Sequence, residues 1–380
     1  SRIPAMAHKT IAITSIVGLC GSLPLVGVYG TDGSLPSPLT FPPLLTQPGD
    51  ASFSWWVFGL FTFFIIIPLS PFLVRIWEYR SSPIPSRPCH PSFPWWGWAA
   101  LLWVLSGWIL AWTRFSWMID IQPHTFPILW FGYITLVNAW TYTRSGACLL
   151  LHDTARFLKL FPLSAVCWWV FEYFNQFVHN WHYLHLQEMP PALRLLLASI
   201  SFSTVLPAVL STTEWLTTFP RFTAPFQHWH RVPWITAPIA RHCLFLLGCA
   251  SLLTVGIWPT FLFPAIWIAP LLIILGYPLR KASPALLHSL AQGNWQPVVL
   301  PAMGALLCGF WWECWNAFSL THWHYTIPLV HGFQLFHMPV LGYSGYLPFG
   351  LECLAISELV TGRMAATRTS PSKCRPNLTD

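Results

Sequence analysis

Apolar residues run along this chain in blocks of near twenty, separated by short polar or proline-rich segments. A helix of roughly 20 apolar residues is what crossing a hydrocarbon core of about 30 Å requires. The blocks fall at about 11–29, 54–74, 95–112, 126–142, 160–181, 193–216, 242–259, 261–278, 297–318 and 336–361 and predict ten spans. The stretch 31–52 is rich in proline, has no helical period and reads as an extracytoplasmic linker. The expected fold class is all-α, a polytopic transmembrane helix bundle.

The basic residues give the bundle a direction, because loops on the cytoplasmic side of membrane proteins are enriched in Lys and Arg. Of the 19 Lys and Arg, all but Arg114 and Arg194 fall before the first block or after an even-numbered one. One missed or invented helix would scramble that segregation. It predicts a multi-pass protein of the cell membrane with both termini in the cytoplasm. Composition agrees: 54% hydrophobic and 17% aromatic residues with 8% charged leave too little polar surface for a water-soluble domain. The net charge of +7 is then a matter of topology, and no nucleic-acid partner is expected. The first block, with Met6, His8 and Lys9 ahead of it, reads as a retained helix or alternatively as a signal peptide. The 10 cysteines lie mostly within blocks and show no C-x-x-C spacing, so neither a disulfide framework nor a zinc site is expected from them.

The chain also resembles itself. Cys167-Trp-Trp-Val-Phe-Glu172-Tyr-Phe-Asn175-Gln-Phe177, then Trp181-His182-Tyr183, returns as Cys308-Gly-Phe-Trp-Trp-Glu313-Cys-Trp-Asn316-Ala-Phe318, then Trp323-His324-Tyr325. Phe126-Pro127 matches Phe263-Pro264, Leu150-Leu151-His152 matches Leu286-Leu287-His288, and Leu206-Pro207 matches Leu347-Pro348, all in the same order. Ordered anchors at matching spacing indicate duplication. The expected organisation is an N-terminal region 1–94, a four-helix repeat 95–219, a second repeat 242–361 and a cytoplasmic tail 362–380. Four spans per copy make the repeats parallel, related by an axis along the membrane normal.

Chemistry is sought first in the acids. Glu172 and Glu313 fall inside spans, where an unpaired carboxylate is costly and acids mark functional sites. Asn175 and Asn316 follow three residues on, on the same helical face and within reach of the acid. Each Glu–Asn pair otherwise staples neighbouring helices. Glu352 breaks the symmetry, because Leu347-Pro348-x-x-x-Glu352 answers to Leu206-Pro207-x-x-x-Ser211. A reaction centre is therefore expected in the second copy, with Glu313, Glu352 and Asn316 as catalytic residues. Glu172, Asn175, Trp311, Trp312, Trp315 and Tyr325 are the expected ligand-binding residues, the aromatic faces suiting a cationic intermediate or ordinary packing. The W-H-Y motifs and His179, His182, His185, His322, His324, His331 and His337 crowd the extracytoplasmic side. Imidazole clusters hold metals, yet these sit among interfacial tryptophans and are read as anchors, with no metal or cofactor expected. Gly342-Tyr-Ser-Gly345 interrupts the last span beside Glu352, which requires cover by protein or a water-filled cavity.

On these motifs, over about residues 95–361, the chain resembles a group of bacterial polytopic membrane proteins with paired E-x-x-N and W-x-Y segments and a closing L-G-Y-x-G-Y-L-P-F-x-L-E. That resemblance implies a membrane fold and no activity; Ser211 departs from it, since the first L-P there precedes an acid. The order acid, W-x-Y, Gly, L-P-x-x-E is more weakly similar to the membrane-embedded lycopene cyclases of the heterodimeric type. Those cyclise a polyene by protonation from membrane acids, though their L-P precedes two adjacent acids where this chain has only Glu352. Three functions follow as expectations: an intramembrane acid–base enzyme acting on a lipophilic, isoprenoid-like substrate; a transporter with a midplane site between the repeats; or a non-catalytic membrane subunit. Membrane lipid and a lipophilic small molecule are the expected partners. No Walker loop, dinucleotide fingerprint or nucleophile elbow is present in the sequence.

Overall fold

The computed structural model describes residues 5–34, 39, 41–82, 92–186, 189–278 and 284–362. Arg2, Arg87, Arg280, Lys281, the four basic residues of the tail and the tail itself lie outside the described residues. In chain order the helices are α1 (Ala5–Asp32), α2 (Trp55–Glu78), α3 (Trp95–Trp112), α4 (Thr125–Ser145), α5 (Leu149–His152), α6 (Thr154–Val178), α7 (Pro191–Phe202) and α8 (Val205–Thr217). They continue with α9 (Pro220–Gln227), α10 (Pro238–Ile257), α11 (Pro259–Leu262), α12 (Ala269–Gly276), α13 (Ala285–Gln292), α14 (Gln296–Asn316) and α15 (Tyr346–Thr361). Four short strands complete the set: β1 (Trp181–Leu184), β2 (His322–Tyr325), β3 (Gln334–Leu335) and β4 (Met338–Pro339).

Among the described residues the structure is thus predominantly helical, with little sheet. Among the described residues, seven helices are long and apolar enough to cross a membrane, or eight if Pro259–Trp267 and Ala269–Gly276, bent by 50°, form one broken span. Two of the expected spans, α4 and α15, are not in that set. α4 is long enough but too polar, burying Thr125, Tyr133, Asn138 and Thr141, whereas α15 has only 16 residues, because the first part of the expected span 336–361 forms the β4 strand and a 3-10 turn; α15 also buries Glu352, Ser357 and Glu358. A helix enclosed by other helices meets protein instead of lipid and so can carry polar groups that a lipid-facing helix cannot. At the other extreme, α2 has no buried residue and is apolar on every side.

Helix contacts recur in pairs. α3 packs on α4 as α10 packs on α12, α6 on α8 as α14 on α15, and α4 on α8 as α12 on α15. Small residues permit several of these approaches: a side chain on Gly256 of α10 would fall on the Pro24 carbonyl of α1, and one on Gly309 of α14 would fall on the Tyr346 ring. α1 is further tied in by the Tyr173 hydroxyl donating to the Gly21 carbonyl and by Lys9 donating to Val360.

The two W-H-Y motifs form something the sequence did not announce. α6 ends on His179, which takes a left-handed conformation (φ 51°) and turns the chain back. β1 then pairs antiparallel with β2, with Trp181 opposite Tyr325, His182 opposite His324 and Tyr183 opposite Trp323. Side chains alternate across a strand, so the ribbon has one aromatic face (Trp181, Tyr183, Trp323, Tyr325) and one imidazole face (His182, His322, His324). Near the opposite helix ends, Arg75 donates to the carbonyl of Pro225, Arg144 to Thr218, Arg221 to the carbonyl of Arg80 and Arg241 to the carbonyl of Tyr277.

Candidate functional site

A cavity of about 560 Å3 lies under the aromatic face of the ribbon. Its wall takes Trp168 from α6, Phe61 and Phe64 from α2, Phe202 from α7, Trp267 from the bend before α12, Trp312 and Trp315 from α14, and Tyr346 from α15. The ribbon adds Trp181, Tyr183, Trp323 and Tyr325. Volume and lining match a pocket for one lipophilic molecule, with a few polar atoms among apolar and aromatic surface.

The two motif acids lie behind that wall. Glu172 is 0% exposed and accepts hydrogen bonds from Trp168 Nε1 (2.9 Å), Trp181 Nε1 (3.2 Å) and the Tyr183 hydroxyl (2.5 Å). Glu313, also 0% exposed, accepts on Oε1 from the hydroxyls of Tyr325 (2.7 Å) and Tyr346 (2.6 Å). Trp323 Nε1 donates to the Tyr325 hydroxyl at 2.9 Å, so the second acid heads a chain from indole to phenol to carboxyl. Glu313 Oε2 is buried and has no hydrogen-bond partner among the described residues. The first acid is saturated by donors, whereas the second keeps one oxygen uncommitted.

The expected Glu–Asn hydrogen bond is not what the asparagines make. Asn175 Nδ2 donates to the Trp181 carbonyl (2.7 Å), and its Oδ1 accepts from the backbone N–H groups of Asn180 (2.8 Å) and Trp181 (3.2 Å). Asn316 does the same for β2, donating to the Trp323 carbonyl (2.7 Å) and accepting from the Trp323 N–H (2.9 Å). The i+3 spacing puts Asn and Glu on one face, but the chain doubles back and presents backbone groups that would otherwise be buried unpaired. Asn175 and Asn316 are therefore clips that hold the ribbon over the cavity.

Glu352 stands apart from Glu313. It is 1% exposed, lies off the cavity wall, makes no hydrogen bond to Glu313, and has electrostatic neighbours in Cys20 of α1 and Cys167 of α6. Its Oε2 has no partner among the described residues, whereas Ser211, its counterpart in the first copy, accepts from Asn138 Nδ2 at 2.9 Å. In the Phe126-Pro127 and Phe263-Pro264 register Asn138 corresponds to Leu275, so the copy that carries the acid lacks the donor that the copy with the hydroxyl has. Of the expected binding residues, Trp312, Trp315 and Tyr325 reach the wall, as does Asn316 of the expected catalytic set, whereas Glu172, Asn175 and Trp311 do not, Trp311 packing instead on Trp108 and Trp315. The Gly342–Gly345 break is a 3-10 turn, Val340–Gly345, whose Gly342, Ser344 and Gly345 reach the cavity wall and which delivers Tyr346 to Glu313.

Sequence reasoning passed over Tyr183, Tyr346, Trp181 and Trp267. Tyr183 had a signal, being matched to Tyr325 in the repeat; Tyr346 and Trp267 come from outside the motif and only packing brings them in. Glu214 and Glu358 accept from the N-terminal backbone of α5 (Leu149, 2.8 Å) and α13 (Ala285, 3.1 Å), a helix-capping role.

On the imidazole face the histidines converge instead of anchoring separately. His322, His324 and His337 each bring one ring nitrogen to within 4.8 Å of the others. Burial and the neighbouring rings lower the pKa of His324 to about 4, and burial lowers those of His322 and His182. Comparison with family models, curated proteins and solved structures finds no match for the chain.

Proposed function

We propose that this chain is an intramembrane acid–base enzyme that takes a lipophilic, isoprenoid-like molecule into the aromatic cavity. One observation carries the reading: the hydroxyls of Tyr325 and Tyr346 both donate to Glu313 Oε1, and both rings line the cavity. A ligand meets the phenols, and the phenols meet the acid. With Glu313 in its carboxylic acid form, a tyrosine passes its hydroxyl proton to the ligand and regains one from Glu313, leaving a carboxylate. Trp168, Trp181, Trp267, Trp312, Trp315 and Trp323 surround the space with π faces that stabilise positive charge. The weak likeness to membrane-embedded cyclases supports the same class of chemistry.

The finer architecture belongs to this reading: ten spans, both termini cytoplasmic, and two parallel repeats at 95–219 and 242–361. The recurrent helix pairs, the twin asparagine clips and the opposition of His182 to His324 support the repeat. The enclosed positions of α4 and α15 support counting them as spans. The arginines gathered at the helix ends away from the ribbon support the orientation.

The test is proton exchange. Full-length protein in detergent micelles is incubated in D2O with a mixture of isoprenoid lipids, and the lipids are analysed by mass spectrometry. Deuterium uptake or an isomerised product is expected, falling about a hundredfold or more in Glu313→Gln. Absence of both in the wild type defeats the enzyme reading. A second reading, a permease, is favoured by the equivalent placement of Glu172 and Glu313. It predicts liposome flux lost in the Glu172→Gln, Glu313→Gln double variant.

A further inference from the structure

We propose that His322, His324 and His337 form a transition-metal site of the zinc class, with His182, opposite His324 on the ribbon, as the candidate fourth ligand. The site lies on the face of the ribbon opposite the carboxylates and stands independently of the proposed acid–base reaction.

Three separate segments deliver the ligands. His322 and His324 are two residues apart on β2 and so share a face; His337 comes from the turn between β3 and β4 and stacks on His324 with ring centroids 4.1 Å apart. His182, directly across the ladder from His324, has its ring 6.1 Å from that of His324. Four imidazoles gathered at one spot have little reason to pack on each other for burial alone.

The outward nitrogens are already engaged in the way metal-binding histidines require. His322 Nδ1 lies 3.0 Å from the Leu320 carbonyl and His337 Nε2 lies 3.1 Å from the Ala317 carbonyl. A carbonyl can only accept, so each of these nitrogens carries the proton and the other ring nitrogen keeps its lone pair. That arrangement, a ligand histidine donating its far N–H to backbone, fixes tautomer and ring orientation in metal sites. His182 supplies an independent sign: it is 7% exposed, and its Nδ1 is buried without a hydrogen-bond partner among the described residues. His182 lies outside the 4.8 Å group, so its unpartnered nitrogen would join an ion there by rotation of the ring.

The donor set selects the ion. All ligands are neutral imidazoles, which suit zinc, copper or nickel and not the oxygen-seeking calcium or magnesium. Zinc–nitrogen bonds of about 2.0–2.1 Å bring tetrahedral ligands closer than the 4.8 Å spread seen here, a gap that side-chain rotation closes. His322 also belongs to the cavity wall, so an ion held there would border the ligand chamber.

The test uses full-length protein in detergent micelles, freed of any affinity tag and of metal by chelation. Zn2+ is titrated against a chromophoric chelator, and Co2+ is used as the spectroscopic probe. One equivalent should bind, with a visible cobalt band of four-coordinate intensity. His324→Ala and His337→Ala should each weaken zinc binding by about tenfold to a hundredfold or more, while His230→Ala, at the other end of the bundle, should leave it unchanged. Because a ribbon variant could misfold, the wild type carries a second measurement: Zn2+ should protect His322, His324 and His337 from diethyl pyrocarbonate, read peptide by peptide. Wild-type affinity retained in both alanine variants, or protection confined to other histidines, overturns the site.

Discussion

Tyr346, the first residue of α15, sets its hydroxyl 2.6 Å from Oε1 of Glu313 on α14, and it does so by lying across Gly309, where a side chain would occupy the same space as its ring. The contact joins a helix start to a buried acid about one turn along its neighbour from the glycine. It depends on one missing methyl group. Gly309→Ala should therefore move Tyr346, destabilise by about 1–3 kcal/mol as overpacking does, and reduce deuterium transfer. Thermal unfolding in detergent and the exchange assay read the two effects; an unchanged midpoint with full activity contradicts the geometry.

The phenol pair should divide cleanly. Tyr325→Phe removes a donor to Glu313 Oε1 and also the acceptor for Trp323 Nε1, whereas Tyr346→Phe removes only the donor. Each unsatisfied buried group costs about 1–3 kcal/mol, so Tyr325→Phe should be the more destabilising. Melting temperatures in the same detergent decide the order, and a reversed order would mean that Trp323 finds another acceptor.

The asparagine clips should act on stability before chemistry. Asn316→Ala frees the N–H and carbonyl of Trp323, and Asn175→Ala frees the carbonyl of Trp181 and the N–H groups of Asn180 and Trp181. Both should lower stability by about 2 kcal/mol or more, at about 1–3 kcal/mol for each group left without a partner, with Asn175→Ala, which frees three groups to the other's two, the larger. Amide exchange at Trp181 and Trp323 should accelerate in the matching variant, and unaltered exchange would mean the ribbon is held otherwise.

Glu352 gives the opposite sign. A buried carboxyl with an unpartnered oxygen destabilises its surroundings, and an apolar side chain of similar volume removes that cost. Glu352→Met should raise stability by about 1–3 kcal/mol on the same grounds. Retained deuterium transfer in that variant would place Glu352 outside the reaction; its loss would mark an acid kept for function at the expense of stability. A lowered melting temperature contradicts the unpartnered state.

The docking of α1 is the last prediction. Gly27 and Gly256 let α1 and α10 touch backbone to backbone, so Gly256→Leu should release α1. Increased proteolysis between α1 and α2 in reconstituted protein is the readout. Wild-type resistance in this variant would show that Tyr173 and Lys9 hold the helix without the glycine contact.

Much of this architecture was legible in the residues. The membrane habit follows from composition, because lipid is the only solvent that so few charges can face, and helices follow from lipid, because every backbone group must be paired within the segment. The duplicated motif puts Glu172 and Glu313 at matching points of two apolar blocks, and both acids are buried. Periodicity gave no warning that Asn175 and Asn316 would turn from their acids to a strand, since the i+3 rule describes a helix and not the chain that folds back beyond it. Nor could it separate Glu352 from Glu313: both are acids on apolar helices, and which wall each faces is fixed by how α14 and α15 are rotated against α1 and α6. The histidines are the clearest case. Spacing along one chain scatters them between two motifs and a distant turn; a four-residue antiparallel pairing, formed between segments some 140 positions apart, brings them to one face. Sequence determined the solvent, the helices and the repeated acid, all of them short-range or compositional properties. Tertiary structure decided which groups meet, because only packing sums contacts between residues that the chain keeps far apart.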